Sequence, residues 1–202
     1  MAIGATLALT AQASQDHCRA IALSGGGSNG AWEMGVLWGF LHYGSPADFE
    51  YDVVTGISAG SINAIHLMSY GVGDELNASE VGTDLWNNLR TEDVWQDWYL
   101  TPLDGLLFKA GMVDNSPLLN FLNGMLEPFS EYGRRITVGT VDINDGTFNK
   151  FDQTNTEFHD MAKAAFSSAS IPVVFPPYSW EGKGLFVDGS TATNINVEDA
   201  IT

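Results

Sequence analysis

The chain has 202 residues, of which 45% are hydrophobic and 16% charged, and this composition indicates one globular domain with a substantial core. Eight basic residues against 25 acidic ones give a net charge of −17, which argues against nucleic acid as a partner because phosphates are bound mainly by cations. The single cysteine, Cys18, excludes an intrachain disulfide and a cysteine-based metal cluster.

Residues Met1 to Ala13 are small and apolar and end in an A-x-A pattern, which is typical of the end of a secretory signal, here without its basic start. They predict a secreted, endomembrane or lysosomal protein, with the cytoplasm as the alternative. No apolar stretch reaches 18 residues, so we expect no transmembrane helix. We treat 19–202 as one domain, because no linker or repeat divides it.

Strands alternate with helices from Arg19 onward, which predicts a three-layer α/β/α fold with a mainly parallel central sheet. The first strand, Ala20 to Leu23, leads into a glycine-rich turn, and a helix follows from Ala31 to about Tyr43. Its expected buried face comprises Trp32, Val36, Leu37, Phe40 and Leu41.

The glycine-rich turn contains Gly25, Gly26 and Gly27, whose unshielded backbone N–H groups at a helix start are suited to hold an anion. Two kinds of site bind an anion through such N–H groups: an oxyanion hole, and a dinucleotide site with the G-x-G-x-x-G fingerprint. The second requires an acidic residue at the end of the next strand, but the nearby acidic residues all precede that strand. We therefore favour the oxyanion hole.

The second strand, Val53 to Thr55, runs into Gly56-Ile57-Ser58-Ala59-Gly60, and a helix is expected over Ser61 to Tyr70. A serine flanked by glycines two positions away, between a strand and a helix, is the pattern of a nucleophile elbow. It predicts that Ser58 is a nucleophile.

The region 79–126 is helical and rich in loops, with a helix beginning at Ser116-Pro117, where Ser116 is the expected N-cap. The aromatic segment Trp95 to Phe108 suggests an acyl groove or an interfacial cap, although core packing explains it more simply.

Three further elements are expected towards the end of the chain. A hairpin joins the strands Arg135 to Val141 and Thr147 to Phe151, and a helix follows over Glu157 to Ser168. The last strand, Leu185 to Val187, leads directly to Asp188.

A serine nucleophile needs a base, and the four histidines are poor candidates. No histidine follows Asp188, so the α/β-hydrolase order of serine, acid and histidine cannot be completed. His66 lies eight residues after Ser58 on the same expected helix, roughly 12 Å away. His159 is more simply an ordinary surface or core residue. Asp188 remains, and would act first as general base and then as general acid.

Four motifs occur together in this order: 24–30, 56–60, 168–177 with its S-A-S-I-P start, and Asp188-Gly189. Over residues 19–197 the chain resembles the patatin-like phospholipases. The resemblance implies an acyl hydrolase with a Ser–Asp dyad and no metal or other cofactor. Ser58 would be the nucleophile, Asp188 its base, and Gly26 and Gly27 the oxyanion donors, with Gly25 shaping the turn.

The chain departs from the family pattern at Asn29, where a basic residue is common, and at Ser190, where glycine or alanine is usual. It also ends soon after Asp188, which predicts a C-terminally truncated domain.

The leading hypothesis is therefore a lipid acyl hydrolase of the phospholipase A or lysophospholipase type. Its partners would be a phospholipid, lysophospholipid or neutral acylglycerol and, transiently, a membrane or micelle interface. The alternatives are a non-catalytic lipid-binding relative and a dinucleotide-binding domain.

Overall fold

The computed structural model describes residues 18–98 and 109–201, and in these ranges six strands form one sheet. The strands are β1 Ala20–Leu23, β2 Val53–Gly56, β3 Arg135–Asp142, β4 Phe148–Asp152, β5 Tyr178–Trp180 and β6 Gly184–Asp188. The α-helices are α1 Gly30–Tyr43, α2 Ala59–Met68, α3 Glu75–Asn88, α4 Thr91–Val94, α5 Ser116–Leu126, α6 Met161–Ser168 and α7 Glu198–Ile201.

The sheet is organised around β3, its longest strand. Strands β1, β2 and β3 are parallel, and β4 runs antiparallel along one edge of β3. The other edge of β3 is shared, because its first half pairs with β2 and its last three residues pair antiparallel with β6. Strands β2 and β6 therefore point their C-terminal ends towards each other. The expected α/β class with a parallel central sheet is confirmed, and antiparallel strands extend it.

Helices α2 and α6 pack on one face of the sheet, where Val54, Ile136 and Val138 belong to the main hydrophobic core. Side chains alternate between the faces of a strand, so Thr55 faces the other way. Its hydroxyl donates to the carbonyl of Asn196 at 2.6 Å. The segment ending in α7 thus covers the second face of β1 and β2.

Several expectations need correction. Helix α1 buries Met34, Leu37 and Leu41, whereas Trp32 is 70% exposed and Phe40 49% exposed, because the side of α1 that packs against α3 and α2 is rotated from the one expected. Asn115 occupies the capping position of α5, one residue before the expected Ser116. The short strand β5 was not expected. No helix among the described residues is long and apolar enough to cross a membrane.

Candidate active site

Ser58 stands at a strained turn between β2 and α2. Its φ of 52° and ψ of −123° are rare for a residue other than glycine and cost about 1–3 kcal/mol. The flanking glycines allow the turn: a Cβ on Gly56 would lie 2.4 Å from the carbonyl oxygen of Gly60, and one on Gly60 would lie 2.4 Å from that of Leu23. The residues with the sequence pattern of a nucleophile elbow therefore form the sharp strand-to-helix turn that the pattern predicts.

The buried hydroxyl of Ser168 connects this turn to the sheet. It accepts a hydrogen bond from the backbone N–H of Ser58 at 2.9 Å and donates to the carbonyl of Gly139 in β3 at 2.7 Å. Ser168 is fully buried at the end of α6. The S-A-S-I-P motif thus has a structural role that its sequence alone does not reveal, namely to hold the nucleophile turn in place.

Asp188 reaches the same place from the opposite direction. Along β3, Gly56 pairs with Val138 and Asp188 pairs with Thr140, so the ends of β2 and β6 meet on the two sides of Gly139. The approach is close, since a Cβ on Gly189 would lie 2.3 Å from the carbonyl oxygen of Gly139. The structure therefore brings the turn that carries Ser58 and the end of β6 at Asp188 to neighbouring positions along the edge of β3, although the two residues lie 130 positions apart in the sequence.

The carboxylate of Asp188 is fully buried, and only one of its two oxygens has a hydrogen-bond partner among the described residues. Its backbone N–H donates to the carbonyl of Ser170 at 2.9 Å, and its Oδ1 accepts from the N–H of Ser190 at 2.8 Å. The second oxygen, Oδ2, has no hydrogen-bond partner within 18–98 and 109–201. A buried oxygen of this kind is costly unless another group uses it, and it is available to accept a proton.

The glycine-rich turn lies against the serine. A Cβ on Gly25 would lie 3.2 Å from the Cβ of Ser58, and Gly27 adopts a φ of 56°. The N–H of Gly25 already donates to the carbonyl of Asn194 at 2.9 Å, so it is not free to hold an oxyanion. The N–H groups of Gly26 and Gly27 make no such backbone hydrogen bond in the part of the chain that the structure describes.

Glu33 fixes the start of this turn, since its carboxylate accepts from the N–H and the hydroxyl of Ser24 at 2.7 and 3.0 Å. Asn194 fixes the other side, because its side-chain amide donates to the carbonyl of Gly25 at 3.1 Å. The contact between Asn194 and Gly25 could not be anticipated locally, because these two residues lie 169 positions apart in the sequence.

A cleft of about 420 Å³ opens beside Ser58, within the size range of sites for small lipophilic molecules. Its polar end is formed by Gly27, Ser28 and Ser58. The remaining walls are mostly apolar and comprise Ala31, Ala59, Ile62, Trp86, Leu89, Thr91, Val94, Trp95, Leu118, Phe121, Ala169, Ile171 and Phe175. Within the expected acyl groove, Trp95 thus belongs to the cleft, whereas 96–98 do not line it and 99–108 lie outside the described residues.

Arg90 is the one cation in the described lining of the cleft. It is exposed, and its guanidinium forms no ion pair with any described residue, although its backbone N–H donates to Asp93 at 2.8 Å. Asn29 is also exposed but does not contribute to the lining. Arg90 therefore brings a positive charge to the lining of the cleft.

The histidines with described positions lie away from the cleft lining. His66 is buried in α2, where its Nε2 lies 2.7 Å from the carbonyl of Ala78, and burial lowers its pKa below the usual value. His42 contacts the carbonyl of Trp38 and the carboxylate of Glu80, and His159 is exposed. His17 lies outside the described residues.

Known proteins are similar to this chain along most of its length. The family model described as patatin-like phospholipase matches residues 21–201. Among solved structures, VipD from Legionella pneumophila is similar with a TM-score of 0.47 and 14% identity over 89% of this chain. The match covers 47% of VipD, so the chain spans about half the length of that structure. No curated protein matches the chain.

The family match covers all four sequence motifs, together with the turn, the buried aspartate and the cleft that the structure assembles from them. The family consists of hydrolases that act on lipid esters. The chain belongs to the patatin-like phospholipase family.

Proposed function

We propose that this chain hydrolyses fatty-acyl esters of lipids with Ser58 as nucleophile and Asp188 as its base. The observation that supports the proposal is that β2 and β6 end on the two sides of Gly139, since a strained serine of the cleft lining follows β2 and a buried aspartate with an unpaired Oδ2 ends β6. The hypothesis of a dinucleotide site loses its support, because the glycine-rich turn lines the same cleft as the serine.

In the first step, Asp188 Oδ2 takes the proton of the Ser58 hydroxyl as its oxygen attacks the acyl carbonyl carbon. The N–H groups of Gly26 and Gly27 stabilise the negative charge that develops on the carbonyl oxygen, and a donor of this kind is worth about 2.7–4 kcal/mol of barrier. The protonated Asp188 then gives its proton to the departing alcohol, which leaves the acyl group on Ser58.

In the second step, Asp188 takes a proton from water as the water oxygen attacks the carbonyl carbon of the acyl-enzyme. The bond between that carbon and the Ser58 oxygen then breaks, Asp188 returns the proton to the Ser58 oxygen, and the fatty acid is released. The apolar walls of the cleft hold the acyl chain, and Trp86 is fixed there by a hydrogen bond of 2.7 Å from its Nε1 to Asn63. Each residue that the mechanism uses is already present in the chain, so the proposal needs no metal or other cofactor.

Arg90 favours a phospholipid or lysophospholipid over a neutral acylglycerol as the substrate. A guanidinium without an ion pair at the cleft can pair with the phosphate of a head group, and a neutral lipid offers no such partner. This pairing supports substrate binding more than the chemical step.

The decisive experiment compares wild type with Ser58→Ala and Asp188→Asn on lysophosphatidylcholine and on a short-chain nitrophenyl ester. We expect both variants to lose activity on both substrates by at least about 10³-fold. Ser69→Ala is the matched control and should retain full activity, because Ser69 follows the far end of α2 and its hydroxyl donates only to the carbonyl of Ile65. Full activity of Ser58→Ala would overturn the proposal.

Two further measurements refine the result. A fluorophosphonate should label wild type at Ser58, whereas lipid binding without labelling would favour the non-catalytic lipid-binding relative. Arg90→Gln should raise KM for lysophosphatidylcholine about tenfold without changing the rate on the neutral ester. Arg135→Gln is its control, because Arg135 is exposed at the start of β3, the end of that strand away from Ser58. Equal effects of the two variants would contradict a role of Arg90 in substrate binding.

A further inference from the structure

The residue Val173 combines two unfavourable features. Its φ of 73° lies in the left-handed region, where a β-branched residue is a genuine outlier, and 61% of its surface is exposed. A valine gains nothing in stability from either feature, since glycine or asparagine would adopt this backbone more easily. Strain of this kind persists only where the surroundings enforce it, and it points to a function.

Three backbone hydrogen bonds enforce the conformation. The N–H groups of Met112 and Val113 donate to the carbonyls of Val173 and Val174 at 2.9 and 3.2 Å. The N–H of Phe175 donates back to the carbonyl of Ile171 at 2.8 Å. The turn is therefore tied to a second chain segment and closed on itself, so its side chains are displayed in a fixed arrangement.

Four apolar side chains are exposed on these two segments. The exposed fractions are 45% for Met112, 38% for Ile171, 61% for Val173 and 39% for Val174. We name these four residues the lip. Single exposed apolar residues are ordinary, but a group on two paired segments is a feature of surfaces that meet another apolar phase.

The lip is continuous with the cleft, because Ile171 belongs to both and Phe175, which closes the turn, also lines the cleft. A lipid that leaves an aggregate to reach Ser58 must carry its acyl chain across water unless the mouth of the cleft touches the aggregate. An apolar rim beside the cleft removes that step.

We propose that the lip inserts into the surface of a zwitterionic lipid aggregate and so places the cleft against it; this inference rests on the proposed function. The side chains of the lip are uncharged, and the net charge of −17 opposes binding to anionic lipid, so apolar insertion rather than a basic patch provides the affinity. A phosphatidylcholine surface is the partner that fits both properties.

The test measures binding of the 202-residue chain to phosphatidylcholine vesicles by flotation, in the Ser58→Ala background so that the lipid is not consumed. Val173→Asp should reduce the partition coefficient at least about tenfold, since a charge replaces an inserted side chain. Aspartate tolerates a positive φ better than valine, so this variant should fold. Val72→Asp is the control, because Val72 is 43% exposed just beyond the opposite end of α2.

Val173→Asn separates function from stability. It should unfold at a temperature equal to or above that of wild type, because it relieves backbone strain, and still bind vesicles several-fold more weakly. With Ser58 restored, both Val173 variants should hydrolyse the monomeric nitrophenyl ester at the wild-type rate and lose activity only on vesicles.

Three results would overturn the proposal. The first is wild-type vesicle binding by Val173→Asp, and the second is an equal loss of binding in Val72→Asp. The third is a lipid-free dimer of wild type that Val173→Asp converts to a monomer, which would make the lip a contact between two copies. Loss of nitrophenyl ester hydrolysis in Ser58→Ala tests the proposed function separately, so the two proposals fail independently.

Discussion

Replacement of Ser168 by alanine tests whether the nucleophile turn is held from outside its own motif. The hydroxyl of Ser168 is the acceptor for the N–H of Ser58, a residue whose φ of 52° already stores strain. Alanine leaves that N–H without its partner next to a fully buried side chain, and a buried donor left unpaired costs about 1–3 kcal/mol. The turn can recover part of this cost only by moving away from Gly139.

Such a movement shifts Ser58 relative to Asp188, because Asp188 is held independently by β3 and by Ser170. A misplacement of about 1 Å between reacting groups is enough to cost about 10²-fold in rate. We therefore expect Ser168→Ala to lower kcat by about 10- to 100-fold while KM changes little, since the cleft walls are untouched.

Ser167→Ala is the matched control. Ser167 is equally buried, and its hydroxyl donates only to the carbonyl of Lys163, one turn earlier in the same helix. Urea unfolding and steady-state kinetics on a nitrophenyl ester measure both variants. If Ser168→Ala keeps the wild-type kcat and is no less stable than Ser167→Ala, the bridge from Ser168 to the turn has no positioning role.

Two further predictions concern stability. Burial lowers the pKa of His66 in the folded protein, so as the pH falls the unfolded chain protonates this histidine before the folded protein does. The free energy of unfolding should therefore decrease as the pH falls below about 6.5, with a slope of up to about 1.4 kcal/mol per pH unit. Urea titrations between pH 7.5 and 5 should show this slope in wild type and a shallower one in His66→Gln; identical slopes would exclude His66 as the cause. Glu75 and Arg134 form a fully buried ion pair at 2.5 Å that joins the start of α3 to the residue before β3, and Glu75→Gln should cost about 3–5 kcal/mol because it leaves the guanidinium without its counter-charge. The exposed Glu80, which contacts His42, is the control: a loss in Glu80→Gln as large as that in Glu75→Gln would contradict the argument.

Sequence reasoning identified the parts of the site whose geometry is local. The G-x-S-x-G turn requires close contacts between backbones only a few residues apart, so its glycines are visible in the sequence and are explained by distances of 2.4 Å in the structure. The boundaries of β1, β2 and α2 were also predicted to within about two residues, since a short apolar run bounded by glycines determines them.

Prediction was weaker where the outcome depends on which face of a helix is packed, on pairing at the edge of a sheet, or on a hydrogen-bond partner distant in the sequence. Trp32 fits the helical period of α1 but is exposed, because the orientation of a helix depends on what packs against it. The short strand β5 exists through its pairing with β6, and no local pattern marks it. Ser168 and Asn194 matter through hydrogen bonds to Ser58 and Gly25, which lie 110 and 169 positions away in the sequence.

The sequence by itself determined the candidate site residues: a serine in an elbow pattern, a glycine-rich turn, and no histidine in the order that a triad needs. Only the tertiary structure decided that Ser58 meets Asp188, that Gly25 is already occupied by Asn194, and that Arg90 and the lip stand at the cleft. The physical reason is the distance along the chain between the residues that interact. Turn geometry is fixed by neighbours along the chain, whereas the shared edge of β3 exists only once strands distant in sequence have paired in register.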